Sequence, residues 1–76
     1  MQPTAFVSLY LGECLTAEDR YAEAEPLLLQ SYDNLRASAG EKSEHVIEAV
    51  TRLVTLYERW RKPGLATKYR ALLPRV

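Results

Sequence analysis

The sequence predicts an all-α fold, antiparallel helix pairs stacked as about two repeats, four helices in all. Three observations predict it. Apolar residues recur at three- and four-residue spacing in four segments, the pattern of helices that bury one face. Short stretches of helix-breaking residues separate those segments. One fixed shift of 42 residues lays the first two segments on the last two. Under it Leu11 falls on Leu53 and Ala24 on Ala66, with the similar pairs Cys14/Leu56, Leu15/Tyr57, Arg20/Lys62 and Ala22/Gly64. A fixed internal period is the mark of stacked repeats.

Helix 1 is expected from about Pro3 to Leu15 or Ala17. Proline suits a first turn, where its missing donor is not needed. Phe6, Val7, Tyr10, Leu11, Cys14 and Leu15 fall at helical spacing, so Cys14 is expected on the buried side. Gly12 sits mid-helix, where it costs about 1 kcal/mol against alanine, and close helix crossing is the reason expected. Thr16 to Arg20 form a turn, with Asp19 expected as N-cap. Helix 2 is expected from about Tyr21 or Ala22 to Ser38, with a stripe of Leu27, Leu28, Tyr32 and Leu35. Pro26 lacks a donor, so it should lie in or just past the first turn. Gly40 is free to end the helix in a left-handed conformation.

Ser43 is a good N-cap for helix 3, expected to run to about Trp60. Val46, Val50, Leu53, Tyr57 and Trp60 make its stripe. Arg61-Lys62-Pro63-Gly64 breaks the chain, and Pro63 can start helix 4. Leu65, Tyr69, Leu72 and Leu73 give that helix an apolar face, and Pro74 stops it. The whole is one domain, with repeat one at 3–39 and repeat two at 43–73.

Leu11-Gly12 followed by Arg20-Tyr21-Ala22-Glu23-Ala24-Glu25-Pro26-Leu27 resembles the tetratricopeptide repeat family, in the long variant of kinesin light chains and bacterial multidomain proteins. The resemblance covers nearly the whole chain, one full repeat and a shortened second. The second departs from the pattern, because Lys62-Pro63-Gly64-Leu65 replaces the usual opening. The resemblance implies right-handed superhelical stacking, a cytoplasmic protein-binding role, and a piece taken from the C-terminal part of a longer, bacterial protein. Relatives that grip a carboxylate use a lysine and asparagine clamp that Leu9, Glu13, Thr51 and Thr55 do not supply. The paired asparagines of kinesin light chains are replaced by Tyr10 and Arg52.

Opposite the apolar stripe of helix 3 lie Glu48, Arg52, Thr55 and Arg59. The 42-residue shift adds Phe6, Tyr10, Glu13 and Ala17 on helix 1, flanked by Leu9 and Thr51. An apolar half beside a basic half suits a peptide with an apolar residue next to an acid. The plainer reading is a solvated face. Self-association is a further expectation. Leu65, Tyr69, Leu72, Leu73 and Val76 would leave the last helix with an apolar end, covered by a second copy in a homodimer or by neighbouring repeats.

Charge is uneven along the chain. Nine acids and three bases precede Ala49, and one acid and seven bases follow Glu48, so the halves carry −6 and +6. Either they neutralise each other within one fold or they steer copies together. Arg59-Trp60-Arg61-Lys62 with Lys68, Arg70 and Arg75 is a weak nucleic-acid signal, because Trp60 completes a packing stripe and the net charge is zero. No nucleic-acid partner is expected.

A single cysteine excludes a disulfide framework and fits the cytosol. No apolar run reaches the about 18 residues of a membrane span. Catalysis, cofactor and metal are not expected. His45 stands alone, Cys14 has no histidine in reach, Glu23 and Glu25 point different ways on a helix, and the three glycines are isolated.

Overall fold

Neither turn within a helix pair contains glycine at its tightest point, yet both reverse the chain through a left-handed residue. The computed structural model describes residues 5–40 and 43–73. It contains α1 (Ala5–Ala17), α2 (Tyr21–Ala39), α3 (Glu44–Arg59) and α4 (Pro63–Arg70), with no strand among the described residues. Asp19 at φ 63° links α1 to α2, and Arg61 at φ 61° links α3 to α4. In the first turn the Arg20 N–H donates to Leu15 O at 2.8 Å and the Asp19 N–H to Thr16 O at 3.1 Å. In the second the Lys62 N–H donates to Tyr57 O at 2.8 Å and the Arg61 N–H to Glu58 O at 3.2 Å. This is the Schellman pattern, which satisfies the last carbonyls of a helix. All four donors and acceptors match under the 42-residue shift. The repeat is therefore written in backbone geometry as well as in a few side chains.

Asp19 does not act as the expected N-cap. Arg20 occupies that position and its side chain makes no capping bond. The reason is the turn itself. Left-handed backbone at Asp19 aims its carboxylate at the Tyr21 hydroxyl, which donates to it at 2.6 Å. Ser43 does cap α3, its hydroxyl accepting from the His45 N–H at 3.2 Å. Gly40 closes α2 at φ 88°. α2 runs through Pro26, leaving the Ala22 carbonyl without a helical donor. Pro63 opens α4, which ends at Arg70 with a turn after it. Pro3, Pro74 and Val76 lie outside the described residues.

Packing follows the order of the chain. α1 meets α2 and α3, α2 meets α3, and α4 packs on α3. The core holds Leu9, Ala24, Leu28, Leu35, Val46, Ala49, Val50, Leu53, Val54, Leu56, Tyr57 and Ala66. α3 sits at its centre and is buried on a wider face than its single stripe suggested, because helices flank it on both sides. Gly12 lies directly under Leu28. A Cβ added there would stand 2.5 Å from Leu28 Cγ, so the expected close crossing is present.

Helix 1 is turned relative to expectation. Its core side is Ser8, Leu9, Gly12 and Thr16, with Leu15 packed at the edge of the core as expected, while Val7, Tyr10, Leu11 and Cys14 are exposed. Small residues win the inward face because Leu28 takes the space between α1 and α2. Thr16 stays satisfied there by donating to Gly12 O at 2.7 Å, and Ser31 by donating to Leu27 O at 2.9 Å.

Five aromatic rings tie α4 to the rest. Tyr21 meets Trp60 at 6.0 Å, Trp60 stacks on Tyr57 at 6.5 Å, Tyr57 on Tyr69 at 5.6 Å, and Tyr69 meets Tyr32 edge-on at 6.2 Å. An eight-residue helix is marginal alone and takes its stability from such contacts.

Candidate functional site

The residues expected to form a groove come together only in part. Glu13, Thr16 and Ala17 of α1 and Arg52, Thr55 and Arg59 of α3 line a cleft of about 160 Å³. At its centre Arg52 Nη2 lies 3.2 Å from Glu13 and 3.2 Å from Glu48. Its Nε is buried and donates to nothing among the described residues. Arg59 reaches Asp19 at 3.4 Å. The Tyr21 hydroxyl, with the guanidinium of Arg59, holds the Asp19 carboxyl below its ordinary value.

The other expected lining residues divide. Tyr10 is exposed, but on the outer side of α1. Thr51 and Thr55 are exposed with their hydroxyls turned back, donating to Ile47 O at 2.8 Å and Thr51 O at 3.1 Å. Leu9 is a core residue and lines no groove, because the rotation of α1 points it at the centre of the fold. Phe6 lies in α1, and its side chain falls outside the described part.

A larger cleft was not legible in the sequence. Leu29, Tyr32, Val46, Ile47, Val50, Tyr69 and Leu72 floor a space of about 430 Å³ between α2, α3 and α4. Asp33, Arg36 and Lys68 stand at its rim. Arg36 lies 5.2 Å above the Tyr32 ring and pairs with Asp33 at 3.7 Å. The Lys68 ammonium lies 5.4 Å from the Tyr69 ring and forms no ion pair among the described residues. Volume, apolar floor and a few polar groups at the edge are the usual make-up of a binding cleft. The signal missed was a long-range one, since these residues come from three helices.

Beside this cleft Tyr57 reaches from α3 to α2, its hydroxyl donating to Glu25 at 2.9 Å. Burial and then the Glu25 carboxylate push its pKa well above the ordinary tyrosine value, and burial also raises that of Tyr69.

The expected self-association face of α4 is largely consumed by the fold. Leu65, Tyr69 and Leu73 pack against the core, and Leu72 alone of the four is exposed. Cys14 is exposed, contrary to expectation. Trp60 is half-buried, with Lys62 Nζ 4.0 Å above its ring. Among the described residues no group of three or more His, Cys, Asp or Glu is placed to hold a metal ion, and no helix is long and apolar enough to cross a membrane. Comparison with family models, with curated proteins and with solved structures finds no match.

Proposed function

We propose that the chain is a non-catalytic, tetratricopeptide-like interaction module of the cytoplasm that docks a short peptide of a protein partner. The ligand carries an apolar side chain next to a carboxylate. One observation carries this reading: the 430 Å³ cleft sets an apolar floor beside two cations, Arg36 and Lys68. A leucine- or phenylalanine-sized side chain fills such a floor, and an adjacent carboxylate meets Lys68, which has no acidic partner of its own among the described residues.

The α1–α3 cleft is the second place for the same ligand, favoured by the buried, undirected Nε of Arg52. It is smaller, and Glu13 and Glu48 already balance its central cation.

A display library of short random peptides, followed by fluorescence anisotropy on the enriched sequences, tests the reading. Enrichment of an aliphatic or aromatic residue beside Asp or Glu is expected. Lys68→Glu should weaken those peptides about tenfold, the scale of one charge-assisted contact, and Arg52→Glu should leave them unchanged. The reverse result moves the site to the α1–α3 cleft. No enrichment, or equal binding by both variants, ends the proposal.

A further inference from the structure

α2 and α4 begin at matching residues and differ in length. Their first residues, Tyr21 and Pro63, fall on each other under the 42-residue shift. α2 then runs for 19 residues against 8 in α4, a difference of eleven. The last residue of α4, Arg70, matches Leu28. Past it the backbone leaves α-helical geometry. The Leu72 N–H donates to Tyr69 O and the Leu73 N–H to Arg70 O, both at 3.0 Å and both in the tighter three-residue pattern.

The extra length of α2 covers α1 in the first pair. The two helices are antiparallel, with Gly12 under Leu28. Ser8 lies one turn earlier on α1, and Ser31 and Leu35 lie one and two turns later on α2. All three are buried, at 2%, 0% and 5% exposure. In the second pair the matches of Gly12 and Ser8 are Val54 and Val50. α4 ends at the match of Leu28, level with Val54 and one turn short of Val50. Val50 and Val46 border the 430 Å³ cleft instead, with Tyr32 on one side and Leu72, 53% exposed, on the other. The cleft therefore lies where a longer α4 would run.

We propose that the ligand of this cleft is a short amphipathic helix that continues the line of α4, along α3 and beside the second half of α2. The inference rests on the peptide-docking reading above and names the form of the peptide. Two turns of helix are about 11 Å long, and an apolar stripe at three- and four-residue spacing meets the floor as α2 meets α1. A peptide of that length is not helical alone, so it folds as it binds. Running in the direction of α4, the ligand helix starts beside Lys68, in the last turn of α4. An acid in its first turn pairs with Lys68 and keeps that cation from facing a bare positive helix end. Tyr69 meets Tyr32, and Arg36 is one turn further along α2, so the ligand's negative end points towards Arg36.

Two synthetic peptides of one composition, each about ten residues long to give two to three turns, test this against the whole chain. One carries leucines at three- and four-residue spacing with a glutamate just before the first. The other carries the same residues with leucines at every second position. Fluorescence anisotropy should show the helically spaced peptide binding about tenfold tighter or more. The circular dichroism of the complex, less that of the free chain, should show the peptide turning helical. Lys68→Glu should weaken it about tenfold, and lysine in place of the peptide's glutamate should restore binding to that variant, which a merely unfolded variant does not allow. Equal binding of the two peptides, or binding without gain of helix, overturns the inference and leaves the cleft reading standing. Absence of the lysine rescue overturns the placement beside Lys68. Failure of both peptides to bind overturns the cleft reading together with the inference.

Discussion

The two helix pairs share one turn and one starting geometry, and differ in almost everything that packing decides. Both pairs turn through a left-handed residue and open the next helix behind a basic one, Arg20 or Lys62. In the first pair glycine on α1 faces leucine on α2. In the second the matching residues are Val54, buried, and Arg70, exposed. Buried apolar bulk has moved from the second helix of the pair to the first. α2 lies between two helices and needs a large inward residue. α4 packs mainly on α3 and touches α2 through Tyr69 and Tyr32, so its outer side faces water. Equivalent positions in a repeat thus share backbone, and their neighbours set their burial.

The sharpest way to break this comparison is to shorten the same residue in both pairs. Leu53→Ala should destabilise the chain by about 2–5 kcal/mol, the range for a buried leucine. Leu11→Ala should change the stability of the dilute chain by less than about 0.5 kcal/mol, as for other surface changes. Chemical denaturation of both variants checks this, and equal losses would mean that α1 is covered in solution even at low concentration.

A smaller effect separates two glycines. Gly12→Ala drives a methyl into the side chain of Leu28, which is wholly buried, and should cost about 1–3 kcal/mol. Gly64→Ala meets open space in the first turn of α4 and should stabilise by about 0.5–1 kcal/mol through helix propensity. Thermal melts of the two variants should move in opposite directions.

The least visible difference appears only in alkali. Tyr57 and Tyr69 hold their protons more tightly in the folded chain than in the unfolded one, whose tyrosines titrate near 10.0. Their contribution is complete below that pH and is lost as pH rises through the raised folded value. From neutral pH upward, stability should therefore be level to about pH 10 and fall above it. Tyr57→Phe, which cannot ionise, should flatten that fall, and an unchanged slope would place the alkaline transition elsewhere.

Much of the local structure is legible in the sequence. Ser43 and Pro63 mark helix starts, Gly40 marks an end, and the spacing of Val46, Val50, Leu53 and Tyr57 names the buried side of α3. These are short-range matters of periodicity, capping and allowed backbone. The face of α1 was not legible, because Val7, Leu11 and Cys14 are as apolar as a core stripe and only the position of α2 turns them outward. The 430 Å³ cleft was hidden for a related reason. Leu29, Val46 and Tyr69 are far apart in the chain and meet through the way α2, α3 and α4 pack. The sequence by itself determined four helices, their breaks and a 42-residue repeat, because those depend on neighbours within a turn or two. Only the tertiary structure decided which apolar faces are used up in the core and which stay exposed, because burial depends on which helix lies alongside.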